Sequence, residues 1–320
     1  MEAAVAPINW TYQPTATNRS THVFDKEADP FCGRSRLSPC HNFGDPMNRK
    51  TTRLITAMLA LLTASLLQPS YAKALGYTIE QNTLYTSYGC EMLANTDIPD
   101  DTASLKTALD SAGWSGYRYT DTPTNLAWPQ DLWESCSTSI YGSGGWSTVI
   151  GGLDNYYGDA RNLTVFSGHG GDGWMIWGHV NNGECTANLG VHTRVGEMGG
   201  GSANFGIWYA CSVLQPSEMG SNMWQSLRQQ AGFYGEDTDG VDEIRDFFNA
   251  TVNKTNADAW LDQYVGRPAV IESFSRTSAT DCWNTHNGNK LKGNVGNTVL
   301  GGAASCGQPQ PWYVGCAEWN

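Results

Sequence analysis

Apolar positions along the chain gather in short blocks separated by Gly, Ser, Asn and Asp. The two strongest blocks are Leu163-Thr164-Val165-Phe166 and Phe205-Gly206-Ile207-Trp208-Tyr209. β-Branched and aromatic residues in runs this short predict buried strands. Pro268-Ala269-Val270-Ile271-Glu272 predicts a further strand, Gly232-Phe233-Tyr234-Gly235 another, and Met175-Ile176-Trp177 a short strand or hairpin arm. Val241 to Val252 and Asn256 to Val265 space Ile, Phe, Trp, Leu and Val as one face of a helix does. Asp101 to Leu109 reads as a capped helix ending near Gly113, and Glu218 to Gln230 as another helix. From Gly113 to Gly152 the abundance of Trp, Ser, Gly and Pro predicts loops with few regular elements. Gly183 to Ser202 reads as a long loop, and Gly293 to Asn320 as a Gly-rich surface wrap held by disulfides. No internal repeat appears, and no linker divides the segment after residue 75.

The N-terminal part has a different pattern. Met47 is followed by the basic stretch Asn48-Arg49-Lys50-Thr51-Thr52-Arg53, then by 14 apolar or small residues from Leu54 to Leu67. Gln68 to Ala74 ends this segment with Ser70-Tyr71-Ala72 and Ala72-Lys73-Ala74. A basic, an apolar and a small-x-small region in that order form a secretory signal peptide. The apolar run is too short to span a bilayer comfortably. Cleavage after Ala72 and after Ala74 fits equally well. Because an export signal belongs at an N-terminus, residues 1–46 read as an upstream extension, 47–74 as the signal and 75–320 as the mature domain. The expected location is secreted or periplasmic, with no stable membrane insertion after signal cleavage.

The mature segment fits one large α/β domain. The whole chain carries 19 Lys+Arg and 31 Asp+Glu, a net charge of −12. Beyond residue 72 there remain 12 basic against 26 acidic residues, a net charge of −14. Phosphate binding relies on basic side chains to release counterions, so the charge argues against nucleic acid as a partner. Of nine cysteines, Cys32 and Cys40 precede the signal, which leaves seven. Export favours disulfides among them, and an odd count leaves at least one thiol over. If Cys211 is that thiol, six remain for three bridges, whose pairing the sequence does not choose.

His169 lies just past the first strong strand, in Phe166-Ser167-Gly168-His169-Gly170, and Cys211 just past the second, in Tyr209-Ala210-Cys211-Ser212. At the carboxyl edge of a parallel sheet these two ends can meet and supply a nucleophile and a base. Strand, Ser-Gly-His-Gly, strand and Ala-Cys, with Cys211 42 positions after His169, resemble the caspase, metacaspase, legumain and gingipain superfamily of cysteine peptidases. From 216 to 272 the order of elements is similar to a secreted bacterial branch of it. The resemblance implies a three-layer α/β/α sandwich around a mostly parallel central sheet. It also implies a Cys211–His169 dyad, an oxyanion hole from the N–H groups of Gly170 and Cys211, and a protein or peptide substrate. Tyr209 then stands two residues before the nucleophile, where such enzymes line the S1 pocket with Gln, Asp or Glu. Ser212 stands where a small Ser-Gly or Gly often follows. These departures remove any basis for an Asp- or Arg-selecting pocket and point to an apolar or small P1 residue. The alternative reading is a secreted caspase-like pseudoenzyme or binding module that engages protein or glycan through Trp-rich surface.

Other chemistry is less supported. Glu236-Asp237-Thr238-Asp239-Gly240-Val241-Asp242-Glu243 is acidic around a glycine, but Gly235 falls where a helix-loop-helix calcium loop needs a carboxylate. A looser calcium site stays open, against the plainer reading of a solvated acidic turn. No other cofactor is expected. His179, Cys185 and His192 have no characteristic zinc spacing, and a metal-dependent hydrolase is the third and weakest reading. No nucleophile elbow, phosphate loop or dinucleotide fingerprint occurs.

Overall fold

The computed structural model describes residues 9–12, 20–25, 75–85, 98–120, 126–133, 153, 156–158, 161–181, 184–188, 204–214, 227–236, 240–275, 277–292 and 314–320. In chain order the elements are β1 (Asn9–Tyr12), β2 (Ser20–Asp25), β3 (Gly76–Gln81), α1 (Ala103–Ser111), β4 (Ser115–Tyr119), a 3-10 turn (Pro129–Asp131), β5 (Leu163–Ser167) and β6 (His169–Gly171). There follow β7 (Trp174–Asn181), β8 (Glu184–Asn188), β9 (Phe205–Tyr209), β10 (Gln229–Phe233), α2 (Glu243–Ala250), α3 (Asn256–Gln263), β11 (Ala269–Ser275), α4 (Ala279–His286) and β12 (Val314–Trp319).

The main sheet has the order β1-β2-β12-β11-β10-β9-β5-β3-β4, and β6, β7 and β8 form a separate three-stranded sheet. Strands β4, β3, β5, β9 and β10 are parallel neighbours. Strands β11 and β12 continue the sheet antiparallel, and the β1–β2 pair adds to the β12 edge. The chain is therefore α/β, with a mixed, mostly parallel sheet body of β3–β5 and β9–β12. Both β1 and β2 lie within the segment read from sequence as an upstream extension.

Alternation along the buried strands splits the core. Tyr77, Ile79, Leu163, Val165, Phe205, Ile207 and Tyr209 pack with Leu105 and Leu109 of α1, Phe247 and Phe248 of α2, and Trp260 of α3. Phe166, Trp208, Val270 and Phe274 point the other way, towards Trp133, Met175, Trp177, Val213 and Leu214. Large aromatic bodies carry much of this packing, since each buries 150–250 Å². On the second side a buried polar line runs across three strands. Trp208 Nε1–H donates to Gln230 Oε1 at 2.6 Å, and Gln230 Nε2–H donates to Glu272 Oε2 at 2.6 Å. Burial pushes the Glu272 carboxyl up to about 7, against the lowering effect of the Gln230 hydrogen bond.

Helices α2 and α3 fall where their spacing predicts, with Ile244, Phe247 and Phe248 on one face of α2 and Thr255 capping α3 through the Asp258 N–H. Helix α1 begins two residues later than the sequence reading. Asp100 Oδ1, not Asp101, accepts the N–H groups of Thr102 and Ala103. The helix stops at a left-handed Gly113 (φ 82°), the favoured conformation after a helix C-terminus.

Several expectations are corrected. Gln229 and Gln230 are the first residues of β10 rather than the end of a helix, because they pair with Phe205 and Gly206 on one side and Ser273 and Glu272 on the other. Residues 215–226 of that expected helix lie outside the described residues. The 183–202 stretch contains β8, paired with β7. The region after Gly113, expected to hold few regular elements, contains β4, paired with β3, and the short 3-10 turn among its described residues. The C-terminal stretch is no surface wrap at its end, since Val314–Trp319 pairs residue by residue with β11. A disulfide from Cys282 in α4 to Cys316 in β12 anchors it, with Cα atoms 6.1 Å apart. Beside it the buried His286 ring bridges Ser273 of β11 (3.0 Å) and Glu318 of β12 (3.3 Å).

Candidate active site

The five parallel strands stand in the order β4-β3-β5-β9-β10. The chain first steps outward from β3 to β4, then crosses back to β5 and proceeds the other way. The order therefore reverses between β3 and β5. In open α/β sheets the crevice beyond the carboxyl ends at such a reversal is where ligands bind. Three chain segments leave the sheet there: Asn82–Tyr85 after β3, Gly168–Gly171 after β5 and Ala210–Leu214 after β9.

Strands β5 and β9 are in register from Leu163↔Phe205 to Ser167↔Tyr209, so both end at one level. Two backbone hydrogen bonds then stitch the departing segments together. Gly168 N–H donates to the Tyr209 carbonyl at 3.2 Å, and Gly173 N–H to the Ser212 carbonyl at 3.0 Å. His169 and Gly170 lie between the first members of these bonds, and Ala210 and Cys211 between the second. The hairpin of β6 and β7 makes the second bond available. Its Asp172-Gly173 turn has φ of 46° and 82°, the two positive values that a two-residue turn of matching twist requires.

At Gly170 the approach is closer than a side chain allows. A Cβ there would stand 2.7 Å from the Cys211 carbonyl oxygen, 2.9 Å from Ala210 Cβ and 2.5 Å from Val213 Cγ2. Glycine lets the backbone after His169 lie directly against the backbone of Cys211. Cys211 carries a thiol outside any disulfide and is partly exposed. The chain turns away immediately after it: Ser212 adopts a left-handed φ of 53°, and its N–H donates to the Gly235 carbonyl at 2.9 Å. For a residue with a Cβ that conformation stores strain, which the bonds on both sides of Ser212 hold in place.

Tyr209 is placed differently from the S1 position expected of it. Its ring is 1 % exposed and packs among Phe233 and Tyr264. Its hydroxyl donates to Glu243 Oε2 at 2.5 Å and accepts the Gly240 N–H at 3.1 Å. Burial, and secondarily Glu243, raises its pKa well above the ordinary phenol range. Glu243 is in turn paired with Arg267 at 2.7 Å. Strand alternation is the reason: Tyr209 shares its side with Phe205 and Ile207, so its ring turns to the helices. Tyr209 thus ties the end of β9 to the acidic turn before α2. In that turn Asp242 pairs with Arg245 at 2.9 Å, and residues 237–239 lie outside the described residues.

The zinc reading loses one of its three residues, because the sulfur of Cys185 is in a disulfide. The His179 side chain and His192 lie outside the described residues. Among the described residues no group of three or more His, Cys, Asp or Glu is gathered to hold a metal ion, and no helix is long and apolar enough to cross a membrane.

Two contacts of the site escaped the sequence reading. Asp101 Oδ1 accepts the Ser167 hydroxyl at 2.8 Å, bracing the last residue of β5 from the start of α1. Tyr85 accepts the His169 N–H at 2.8 Å through its hydroxyl, which donates to the Ile176 carbonyl at 2.8 Å. Its ring meets the His169 ring at a centroid distance of 4.5 Å and 60°. The alternation of Tyr77 and Ile79 could have revealed β3. Nothing in the local pattern singles out Tyr85. No protein-family model, curated protein or solved structure matches this chain.

Proposed function

We propose that this chain is an exported cysteine endopeptidase of caspase-like type, with Cys211 as nucleophile and His169 as general acid and base. The observation that carries the reading is the pair of backbone bonds, Gly168 to Tyr209 and Gly173 to Ser212, that set His169-Gly170 against Ala210-Cys211. A partly exposed thiol and an imidazole carried on these adjoining segments, at the carboxyl edge of a parallel sheet where strand order reverses, suit covalent catalysis.

The chemistry follows from these groups. The Cys211 thiolate attacks the scissile carbonyl carbon, forming a C–S bond, while the carbonyl oxygen takes up the negative charge. The N–H groups of Gly170 and Cys211 are the donors proposed for that oxyanion, and each such donor typically contributes ~10²–10³ in rate. The tetrahedral species collapses by breaking the C–N bond, and the His169 imidazolium gives its proton to the departing amine. His169 then removes a proton from water, which attacks the thioester carbonyl, and breaking the C–S bond releases the acid and the Cys211 thiolate.

Tyr209 turns its ring into the core, so the position offers neither a carboxylate nor an amide to a substrate side chain. This removes Tyr209 as a determinant of the P1 residue. The finer fold belongs to the same proposal. Phe166, Trp208, Leu214 and Leu227 form an apolar layer on the side of the sheet away from α1, α2 and α3, which supports the three-layer α/β/α sandwich. Secretion or periplasmic delivery rests on the signal pattern before residue 75, and the Cys282–Cys316 bridge is compatible with it.

The test treats wild type, Cys211→Ala and His169→Ala with a small thiol alkylator at neutral pH and profiles each against a diverse peptide library. Labelling at Cys211 with cleavage lost in both variants supports the peptidase. A Cys211 that reacts no faster than a free peptide thiol, with no cleavage, overturns it and leaves the non-catalytic binding module.

A further inference from the structure

Tyr85 lies four residues past the end of β3, at the strand reversal, and its side chain is fully buried. In an antiparallel ladder every second opposed pair joins N–H to C=O directly. Here β6 and β7 oppose His169 to Ile176, but the Tyr85 hydroxyl is bonded to both. It accepts from the His169 N–H and donates to the Ile176 carbonyl, each at 2.8 Å. The spacing of this rung is thus set by a side-chain oxygen from a third segment.

The same residue restrains the imidazole. The Tyr85 ring meets it edge-on at 4.5 Å, so the backbone and the ring of His169 are both held by one side chain. The glycine before His169 makes room for it, since a Cβ at Gly168 would stand 2.5 Å from the Tyr85 hydroxyl oxygen. We infer that Tyr85 is a positioning residue for His169, fixing the imidazole in the orientation from which it serves Cys211. This inference rests on the dyad reading above.

Removing the hydroxyl while keeping the ring leaves the His169 N–H and Ile176 carbonyl either unpaired or drawn together, and an unpaired buried group is unfavourable. In both cases His169 shifts relative to Cys211. A thiol next to a protonated imidazole keeps its thiolate to lower pH than an isolated one, so misplacing the ring moves the reactivity of Cys211 to higher pH.

The experiment uses the full chain and measures the rate of Cys211 alkylation by iodoacetamide as a function of pH, for wild type, His169→Ala, Tyr85→Phe and Gly168→Ala. The expected result is a Tyr85→Phe profile displaced from wild type towards His169→Ala, and a peptidase kcat about tenfold lower at little changed KM, a fraction of the ~10²–10⁴ typical of acid–base catalysis. Gly168→Ala keeps the hydroxyl but drives it from its place, and is expected to move the profile the same way. If Tyr85→Phe does not fold, Gly168→Ala decides on the same criterion. A wild-type profile in a folded variant, with His169→Ala displaced, overturns the role of Tyr85 alone. Coincident profiles for wild type and His169→Ala overturn the dyad and this inference together.

Discussion

Gly170 and Cys211 are packed backbone to backbone, so that a methyl group on Gly170 would reach within 2.7 Å of the Cys211 carbonyl oxygen. The contact joins two segments 41 residues apart in sequence, and it makes the spacing of the proposed dyad dependent on the absence of a side chain.

Gly170→Ala is therefore expected to separate the two strand ends. The added methyl also meets Val213 and Ala210, so the chain must shift, at about 1–3 kcal/mol of stability for overpacking. Peptide cleavage should fall by about 10²-fold or more, comparable to the loss of an oxyanion donor. Steady-state kinetics beside thermal melting checks this, and retention of full activity in a folded variant contradicts the arrangement described.

Ser212 provides a test in the opposite direction. Its φ of 53° carries a penalty of roughly 1–2 kcal/mol for an L-residue in the left-handed region, which glycine does not share. Ser212→Gly is expected to raise the melting temperature or leave it unchanged, and to keep Cys211 reactive. Ser212→Val should lower it. Differential scanning calorimetry of the two variants reads the sign directly.

The bridge between Cys282 and Cys316 spans 34 residues and ties β12 to α4. Opening it is expected to remove about 2–4 kcal/mol of stability, measured by denaturant titration of Cys282→Ser or of protein under mild reductant. In Cys282→Ser, labelling at Cys316, which is buried in the folded protein, should appear at a lower denaturant concentration than global unfolding of wild type, which mass spectrometry of the alkylated peptides reads.

Glu272 predicts a pH dependence. Burial raises its carboxyl from 4.5 to about 7 in the folded protein. Between those values the unfolded chain releases this proton while the folded chain keeps it, so this group's contribution to stability is full below the window. It declines as pH rises through the window and is level above it. Glu272→Gln, which is neutral throughout and can still accept from Gln230, is expected to abolish that part of the decline. The comparison is thermal melting of both proteins from acid to mildly alkaline pH, and a constant difference between them refutes it.

The two strong apolar blocks, the helical spacing of Ile244, Phe247 and Phe248, and the hairpin arm Met175-Ile176-Trp177 were each readable along the chain because each reflects a local rule. Period-two and helical patterns record which side of an element is buried, and a two-residue turn needs residues that tolerate positive φ. The candidate pair His169 and Cys211 was readable for a related reason, since each lies just past the end of an unmistakable strand.

Local patterns along the chain thus carried the type of α1, α2, α3, β5, β9 and β11 and the two residues around which a site is proposed. Only the packing of distant segments made β5 and β9 neighbours, began the strand expected at Gly232–Gly235 already at Gln229, and made Val314–Trp319 a strand. In each of these two strands, polar or small residues are held by partners distant in sequence rather than by a pattern of their own. It also decided that Tyr209 faces the helices, that Asp101 leaves its helix to brace Ser167, and that Tyr85 reaches His169. These facts depend on which side of the sheet a residue meets and on what arrives there from another segment. A one-dimensional pattern records burial and spacing, but it does not record the identity of a distant partner.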